Sequence, residues 1–512
     1  MSRMLPAFVI VPLVAAFVLP IFGTKGKSLA TFLANLVTIF LLVLAVLSVG
    51  QSCVYEVGSW SLRVGIVLVL DGLSSLLLLA ISVVSAAAML FSVRYMERYT
   101  AKTKYLSLFM LMVAGMNGVA ISGDIFNLFV FLEIASLASY ALVGFGCEHE
   151  ELEASFKYMV LGSVASTFIL FGIALVYGNT ASLNMAYVSK AIQSNGINPG
   201  LAFALALLIV GFGLKAALVP FHAWLPDAHS SAPAPISAML SGILIKTIGI
   251  YALTRVLFNV FGVSLAVGWL LVVMGLLSMV AGAFLAIGQW DFKRLLAYSS
   301  ISQIGYVVLG LGLGATLIAM GANPAWASLA ILGGLFHLVN HAVYKSLLFL
   351  TSGSVEMATG TRQLKEMGGL AGKMPVTRAV CTIASASIAG VPPFAGFWSK
   401  LILVIAAIQA GFYWVAVILV SVSVCTLIMY LKVQRYVFLG ELPDNLRKVR
   451  ESKGSMLIAM VVLAGLCMVM GLLLLVPSLK TSVLDPAVNV LLEGLKYSDR
   501  VIQMCSSQGK LL

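Results

Sequence analysis

Residues 211–237 read GFGLKAALVPFHAWLPDAHSSAPAPIS. Lys215 stands in an otherwise apolar run, and Pro220 follows it five residues later. A proline inside a helix removes a backbone hydrogen bond and frees carbonyl groups, which a membrane helix tolerates where protein or water can bind them. The stretch therefore predicts a membrane helix that is broken beside a buried cation.

The composition of the 512-residue chain is that of a membrane protein. Hydrophobic residues make up 61% of the sequence, charged residues make up 10%, and the mean hydropathy is +1.07. A soluble domain carries about 25% charged residues. Apolar runs of roughly twenty residues, each long enough to cross about 30 Å of hydrocarbon, recur along the whole length. The sequence predicts an all-α polytopic membrane protein.

Cofactor signatures are missing from the sequence. The six cysteines form no C-x-x-C pair, and no Gly-rich phosphate loop follows a strand. We therefore predict neither a cofactor nor a metal site, and we expect any electrons or nucleotides that drive the protein to bind a partner chain. The sequence leaves open whether the parent assembly is an enzyme.

Fourteen spans are predicted. They cover residues 4–23, 28–50, 63–93, 105–122, 125–146, 157–178, 200–221, 236–260, 263–289, 295–319, 326–352, 378–412, 413–438 and 455–477. Pro220 interrupts the seventh span, and Pro392 with Pro393 interrupts the twelfth. Broken helices at corresponding places are typical of transporters with inverted repeats.

The domain division follows from these interruptions. Spans four to eight and nine to thirteen make two units of five helices, and because five is odd the second unit must be inverted. We divide the chain into residues 1–104 (helices 1–3), 105–260 (first repeat), 261–438 (second repeat) and 439–512 (helix 14 and the C-terminal tail).

The loop charges predict the orientation. If the N-terminus faces outward, most loop cations are cytoplasmic: Lys25, Lys27, Arg94, Arg98, Lys102, Lys104, Lys293, Arg294, Arg362, Lys365, Lys373, Arg378, Arg447, Lys448, Arg450 and Lys453. The opposite loops hold little more than Arg63, Lys190 and Arg255. By the positive-inside rule both termini lie on the outer side of the cell membrane.

The tail after residue 477 departs from this pattern, with the cations Lys480, Lys496, Arg500 and Lys510. The topology accounts for most of the net charge of +12, so no nucleic-acid partner is needed.

Five charged residues lie well inside predicted spans: Glu133, Lys215, Lys246, Lys345 and Lys400. Each costs about 2.5–3.5 kcal/mol at the centre of a membrane helix, so the set calls for a function or for pairing. Lys215 is interpreted as a proton carrier, against a snorkelling lysine or a structural pair with Glu133. For Lys246 the alternative is a structural bond to a nearby carbonyl, and for Lys400 it is a position near a helix end.

Polar residues also follow one face of the eleventh span. His337, His341 and Lys345 are spaced at i, i+4 and i+8. The histidines are interpreted as a proton relay, since imidazoles titrate near neutrality, or as satisfied core residues, or as zinc ligands. Zinc is disfavoured because H-E-x-x-H is absent and the lysine one turn further on would oppose a cation.

Polar residues at the ends of spans have less specific roles. His222, Asp227 and His229 lie in a predicted loop after the broken helix, where they are candidate proton-uptake residues or part of a solvated turn. Asp71 and Asp124 sit near span ends, and each is expected to be a helix cap or an interface residue and not a proton carrier.

Several long motifs carry a family resemblance. Besides residues 211–240, they are LIKTIGIYALTR (244–255), WDFKRLLAYSSISQIGYVVLG (290–310), HLVNHAVYKSLLFLTSGSV (337–355) and GVPPFAGFWSKLIL (390–403). In this order they resemble the antiporter-like subunits shared by respiratory complex I, Mrp-type multi-subunit sodium/proton antiporters and energy-converting membrane-bound hydrogenases. The stretch HEELEASFKYMVLGSVAS (149–166) looks more like the Mrp D-type subunit and its hydrogenase counterpart.

The resemblance implies a fold and a channel. Family members have fourteen core helices in two inverted five-helix units, with helices 7 and 12 broken. Their channel residues are matched here by Glu133 on helix 5, Lys215 and Lys246 on helices 7 and 8, His337, His341 and Lys345 on helix 11, and Lys400 on helix 12. The implied partners are other integral membrane subunits, including related antiporter-like ones, together with the lipid bilayer.

These observations favour an ion-translocating membrane subunit. It would move protons, with Na+/H+ antiport as a variant, along a buried Glu/Lys/His axis in a redox-driven or Mrp-type complex. One competing class is a self-contained transporter of a small solute, whose polar groups would concentrate at one site near the midplane. Another is a structural scaffold, which would leave five buried charges without a purpose.

Overall fold

The computed structural model describes residues 1–23, 26–60, 65–452 and 454–508. Within them, twelve helices are long and apolar enough to cross a membrane, and three shorter apolar helices accompany them. The predicted all-α polytopic membrane fold is confirmed. The total of fourteen spans and the inverted repeat stay predictions. Four of the cations considered for the orientation, Lys25, Arg63, Lys453 and Lys510, lie outside the described residues.

The first part of the chain is helical apart from one small sheet. Its elements are α1 (Ser2–Phe22, with 3-10 turns at both ends), α2 (Lys27–Ser48), β1 (Cys53–Glu56), β2 (Val67–Leu70), α3 (Gly72–Tyr95), α4 (Lys102–Ile121), α5 (Ile125–Val143), α6 (His149–Thr180) and α7 (Met185–Asn195). Helix α7 was not predicted, and it lies between the predicted sixth and seventh spans.

The middle and last parts contain the two interruptions. Their elements are α8 (Pro199–Lys215), α9 (Trp224–Ser231), α10 (Ala234–Phe261), α11 (Leu265–Ile287), α12 (Phe292–Ala319), α13 (Pro324–Thr359), α14 (Pro375–Ala389), α15 (Ala395–Gln409), α16 (Tyr413–Phe438), α17 (Ser455–Leu475), α18 (Asp485–Leu492) and α19 (Tyr497–Gln508). Helix α10 includes three π-helical stretches, Leu240–Leu244, Lys246–Tyr251 and Val256–Phe261. Such stretches are rare and often mark functional sites.

Helix starts follow the local sequence. Asp71 caps α3 by accepting the Ser74 amide at 2.9 Å, and Asp124 caps α5 by accepting the Asn127 amide at 2.7 Å. Both predicted caps are confirmed, and each carboxylate satisfies a backbone donor that the helix itself leaves open.

Both predicted interruptions are present. Helix α8 stops at Lys215, and Ala217 adopts a left-handed conformation with a φ of +54°. Helix α14 stops at Ala389, and Gly390 ends it in the left-handed conformation that glycine adopts most readily, with a φ of +84°. The peptide bonds before Pro220 and Pro393 are cis. The predicted spans 200–221 and 378–412 are therefore each divided.

The start of the predicted third span is wrong. Residues Val67–Leu70 form β2, which pairs antiparallel with β1 so that Cys53 faces Leu70 and Glu56 faces Val67. The helix begins only at Gly72. The stretch VLVL is as apolar as a membrane helix, so hydropathy alone does not separate a short buried strand from the beginning of a span.

Arg255 was counted with the outer loop cations, and this assignment is wrong. Its side chain is 2% exposed and forms an ion pair with Asp71 at 2.7 Å. One turn further along α10, Asn259 donates to the carbonyl groups of Val490 and Gly494 at 2.8 and 3.1 Å. The pair thus lies where the C-terminal tail packs against α3 and α10.

The core of the molecule is formed by three long helices. All residues in the most apolar part of α10 are buried, and most of those in α12 and α13 are buried too. In α2, α6, α16 and α17, most residues of the corresponding part are at least partly exposed. A hydrophobic helix that is buried all round belongs to the centre of a bundle. The candidate residues of α10 and α13 are therefore held in the interior.

Candidate functional site

An ion pair joins α5 to the end of α8. Lys215 Nζ lies 3.3 Å from Glu133 Oε1. The ammonium also donates to the Ser136 hydroxyl at 3.0 Å and the Tyr140 hydroxyl at 3.2 Å, and Ser166 of α6 donates to Glu133 at 2.5 Å. The side chain of Lys215 is 1% exposed and that of Glu133 is 26% exposed. The cation is therefore enclosed, while its counter-ion stands at the edge of the molecule.

Local sequence explains how the pair is positioned. Glu133, Ser136 and Tyr140 are spaced at i, i+3 and i+7, which places them on one face of α5. Lys215 is the last residue of α8, so backbone groups beside it lack helical partners. The Leu214 carbonyl accepts the Trp224 indole N–H at 3.0 Å as well as the Ala217 amide at 3.1 Å. The interruption beside the cation is thus held by a side chain from α9.

Aromatic rings connect the ion pair to α9. The Tyr140 ring meets Tyr158 edge to face with a centroid distance of 4.5 Å. Tyr158 stacks on Trp224 with a centroid distance of 4.2 Å and an interplanar angle of 5°. A residue that hydrogen bonds to Lys215 is therefore packed, through two more rings, against the segment that follows the break.

Lys246 is buried in the π-helical part of α10. Its Nζ donates to the carbonyl groups of Ser241 at 2.6 Å and Gly242 at 2.5 Å. This is the bonding expected from the structural alternative. Within the described residues its hydrogen bonds run to carbonyl oxygens and not to a carboxylate, so the position differs chemically from that of Lys215.

The predicted polar stripe on α13 is present. The His337 and His341 rings lie nearly parallel with centroids 6.5 Å apart. His337 is bonded through Nδ1 to the Ser399 hydroxyl at 2.9 Å and through Nε2 to the Gln303 side-chain oxygen at 3.2 Å. Both ring nitrogens of His341 are buried and lack a hydrogen-bond partner among the described residues. One imidazole is satisfied, and the other keeps its proton-binding atoms free.

Lys400 bridges the second interruption. Its Nζ donates to the carbonyl groups of Ile388 at 2.9 Å and Ala389 at 3.3 Å, which end α14. The ammonium also lies 4.9 Å from the centroid of the Tyr306 ring. Lys400 does stand near the start of α15, but it is only 6% exposed, so it does not reach solvent as a lysine at a helix end normally would.

Hydroxyl groups of α12 lie between the inner lysines. Ser299 accepts a hydrogen bond from Lys345. The next residue, Ser300, has its hydroxyl 2.6 Å from that of Ser241, and the Ser241 carbonyl binds Lys246. Neighbouring residues of α12 thus contact the surroundings of both lysines, Ser299 by binding Lys345 directly and Ser300 through the side chain of Ser241.

The three candidate uptake residues are separated by the structure. Asp227 and His229 do not lie in a loop, because Trp224–Ser231 is the helix α9, whereas His222 lies in the turn before it. Asp227 is near the surface and pairs with Lys157 at 3.1 Å and Arg294 at 2.9 Å. His229 is fully buried, with neither ring nitrogen hydrogen bonded among the described residues, and His222 is half-buried. Of these residues, His229 is the one in the core.

Several partners were missed from sequence. The helical spacing from Glu133 would have found Tyr140, and Ser399 is the neighbour of Lys400. Ser166 and Gln303 carry no such signal, because they meet Glu133 and His337 across different helices.

Comparison with known families decides the assignment. The profile described as "NADH:quinone oxidoreductase/Mrp antiporter, TM" matches residues 122–426, and "NADH-Ubiquinone oxidoreductase (complex I), chain 5 N-terminus" matches residues 56–106. The chain belongs to the NADH:quinone oxidoreductase/Mrp antiporter family. The first match includes every candidate residue from Glu133 to Lys400. The predicted family is confirmed.

Two curated relatives span almost the full chain. The N subunit of the NADH-quinone oxidoreductase of Desulforudis audaxviator is 35% identical over 88% of this chain and 90% of that protein. The D-type subunit of the Na(+)/H(+) antiporter of Alkalihalophilus pseudofirmus is 32% identical over 90% and 92%. Family members of both names are therefore similar to this antiporter-like chain along its length.

Solved structures share the fold. A chain of the Mrp complex from Dietzia sp. DQ12-45-1b has a TM-score of 0.87 at 30% identity, covering 98% of this chain and 99% of that one. A chain of the membrane-bound sulfane sulfur reductase, an archaeal respiratory membrane complex, has a TM-score of 0.86 at 32% identity, covering 98% and 100%.

Proposed function

We propose that this family member is an ion-translocating subunit of a multi-subunit membrane complex. Protons move along a buried line from Glu133 and Lys215 through Lys246 and the α13 stripe to Lys400. The observation that carries the proposal is the enclosed Lys215 paired with a partly exposed counter-ion. Curated relatives that are named Na(+)/H(+) antiporter subunits support ion transport as the general activity.

The energetics of the pair suit proton transfer. A lone charge at the centre of a membrane helix costs about 2.5–3.5 kcal/mol, and an adjacent carboxylate offsets part of that cost. When Glu133 turns away, Lys215 relieves the cost by giving its proton to the next site. One charge moved across the membrane requires about 2.3 kcal/mol per 100 mV, so this change is sufficient for one proton against at most about 110–150 mV.

The surface around Glu133 supports a neighbouring subunit. Phe126, Val130 and Leu137, which lie seven residues before, three before and four after Glu133, are 42%, 39% and 61% exposed. They share its helix face. A neighbouring subunit that packs on this apolar face would offer the Glu133 carboxylate a second binding position. The similarity to chains of an Mrp complex and of an archaeal respiratory complex supports integral membrane partners.

The charges are arranged for lateral transfer and not for binding one solute. Lys400 lies at the second interruption and Lys215 at the first, with the residues of α10 and α13 in between. A solute site would gather these groups at one place. If the native chain were active as a monomer in liposomes, without partner subunits, the solute-transporter class would be favoured instead.

The proposed organisation comprises two five-helix units. Counting α8 with α9 and α14 with α15 as single broken helices, and leaving aside the short α7, residues 105–260 and 261–438 each contain five, with the fourth one broken in both. Failure of one unit to superpose on the other after inversion in the membrane plane would contradict the repeat.

We place both termini on the outer side of the cell membrane. Arg94 and Arg450 line one cavity, and Arg362 pairs with Glu150, so the predicted cytoplasmic loops meet at one end of the molecule. The test is Lys373→Cys, whose thiol should react with a membrane-impermeant reagent only from the cytoplasmic side.

Lys215→Arg in the native complex tests the proposed function directly. Arginine keeps the positive charge but does not release a proton. We expect Lys215→Arg to be as inactive as Lys215→Ala in ion transport by membrane vesicles, measured with a pH-sensitive dye under imposed redox or Na+ gradients. Glu133→Gln should also be inactive, and Glu133→Asp should be partly active because it keeps the charge but loses reach. The exposed Lys190→Arg serves as a matched control.

Transport at the wild-type rate by the arginine variant would show that Lys215 is a fixed counter-ion. The proton-carrier mechanism would then be wrong.

A further inference from the structure

A cavity of about 550 Å³, lined by both polar and apolar side chains, lies where α2 passes the end of α3 and the start of α4. Lys27 of α2 and Lys102 of α4 line it, and Thr31 and Asn35 of α2 add polar groups. These residues are not part of the proposed proton path. The cavity is thus a separate feature of the N-terminal helices.

The charge around this cavity is unbalanced. Lys102 is 7% exposed, and its ammonium donates to the Val93 carbonyl at 2.7 Å. Among the described residues that line the cavity, Glu97 is the one carboxylate, and it pairs with Arg94 at 3.3 Å. Two lysines therefore face the cavity beside a single carboxylate, which they share with Arg94. An enclosed cation of this kind is stabilised by an anion.

An apolar stripe leads away from the cavity. Phe32 lines its mouth, and Phe32, Leu36 and Phe40 on the same face of α2 are 62%, 52% and 38% exposed. They are spaced by four residues, so the stripe extends about 12 Å along the helix. The site thus combines two cations with an apolar track that runs into the hydrocarbon.

We propose that this cavity binds an anionic phospholipid. The phosphate lies between Lys27 and Lys102, and an acyl chain follows Phe32, Leu36 and Phe40. Basic pockets between membrane helices suit anionic lipid headgroups. An acidic segment of a neighbouring subunit would also satisfy the lysines, but it would not require an apolar track that continues so far along α2.

Quantitative lipid analysis of the purified complex tests this proposal. We compare the wild type with Lys27→Gln/Lys102→Gln and with Lys104→Gln, which removes an exposed cation outside the cavity. After delipidation and titration with phosphatidylglycerol, the double variant should bind the lipid about thirtyfold more weakly. The Lys104→Gln control should behave as the wild type. Equal binding by the double variant would overturn the proposal.

Two further measurements identify the occupant. Phosphatidylcholine and inorganic phosphate, tested in the same titration, should compete poorly, because the first lacks net charge and the second lacks an acyl chain. Equal competition by either would overturn the lipid assignment. A photo-crosslinker at position 32 should label lipid, and labelling of a protein subunit in its place would assign the cavity to a protein contact. The single Lys27→Gln variant, which leaves the Lys102 hydrogen bond intact, keeps the test valid if the double variant fails to fold.

Discussion

Lys215 shows how a membrane interior can hold a charge that is still able to react. Its ammonium has three side-chain acceptors, of which Glu133 carries the opposite charge and Ser136 and Tyr140 are neutral. If the carboxylate leaves, the neutral groups keep the lysine in place but do not offset its charge. Lys246 and Lys400 are bonded to carbonyl groups instead. Of these three lysines, Lys215 is the one that has a carboxylate among its observed partners.

Lys400→Ala should block translocation while the complex still assembles. The side chain bridges α14 and α15 through two carbonyl groups, but it ends the polar line and does not fill the apolar core. Proton uptake by vesicles and the yield of the purified complex measure the two effects. The exposed Lys373→Ala is the control. Loss of the chain from the membrane would indicate a structural role and contradict the prediction.

The double variant His337→Gln/His341→Gln should slow proton transport at least tenfold. Glutamine can replace hydrogen bonds, including that of His337 with Ser399, but it does not take up and release protons at neutral pH. Transport rates across pH 6–8 in vesicles measure the change. Metal analysis of the wild type is the control, since stoichiometric bound zinc would show that the histidines serve as ligands and not as a relay.

At the scale of elements, the interruptions place the site, and the packing of α10 fixes one of them. A Cβ on Gly249 would lie 2.6 Å from atoms of Ala216, the residue that follows Lys215. Helix α10 therefore passes directly against the break in α8. Since Lys246 is one turn before Gly249, this contact also sets the position of the second lysine relative to the first.

Gly249→Ala should reduce transport because the Ala216 backbone must move to admit the methyl group. Overpacking of this kind typically costs about 1–3 kcal/mol. Thermal unfolding of the purified complex and vesicle transport measure the two consequences. The control is Gly465→Ala in α17, where an added Cβ meets open space. Wild-type transport by Gly249→Ala would show that the geometry of this contact does not matter.

At the scale of the whole molecule, the C-terminal tail is attached to the membrane core. Arg255 and Asp71 pair between α10 and α3, and the Arg255 guanidinium lies 5.1 Å from the centroid of the Tyr497 ring on α19. Within the tail, Arg500 pairs with Glu493 and Lys480 with Asp485. The tail cations that departed from the positive-inside pattern are thus partly neutralised by local carboxylates.

Arg255→Met should destabilise the protein more than the double variant Arg255→Met/Asp71→Asn. Removing one member of a buried ion pair leaves the other charge uncompensated, which costs about 3–5 kcal/mol. Thermal unfolding and limited proteolysis of the tail measure the effect. If both variants were equally stable, the pair would not be responsible for holding α3, α10 and α19 together.

The amino-acid sequence alone determined the membrane class, the proline interruptions, the polar stripe on α13 and the resemblance to the family. These features depend on composition, on helical period or on a local backbone requirement, all of which are properties of adjacent residues. Tertiary structure alone decided that Lys246 bonds to carbonyls, that His229 is buried and that Arg255 meets Asp71. It also decided that Val67–Leu70 is a strand, because it pairs with Cys53–Glu56. The Lys246 bonds are local and depend on the π-helical backbone of α10. The other contacts join residues far apart in the chain, and their geometry follows from how helices pack and not from the order of residues within any one helix.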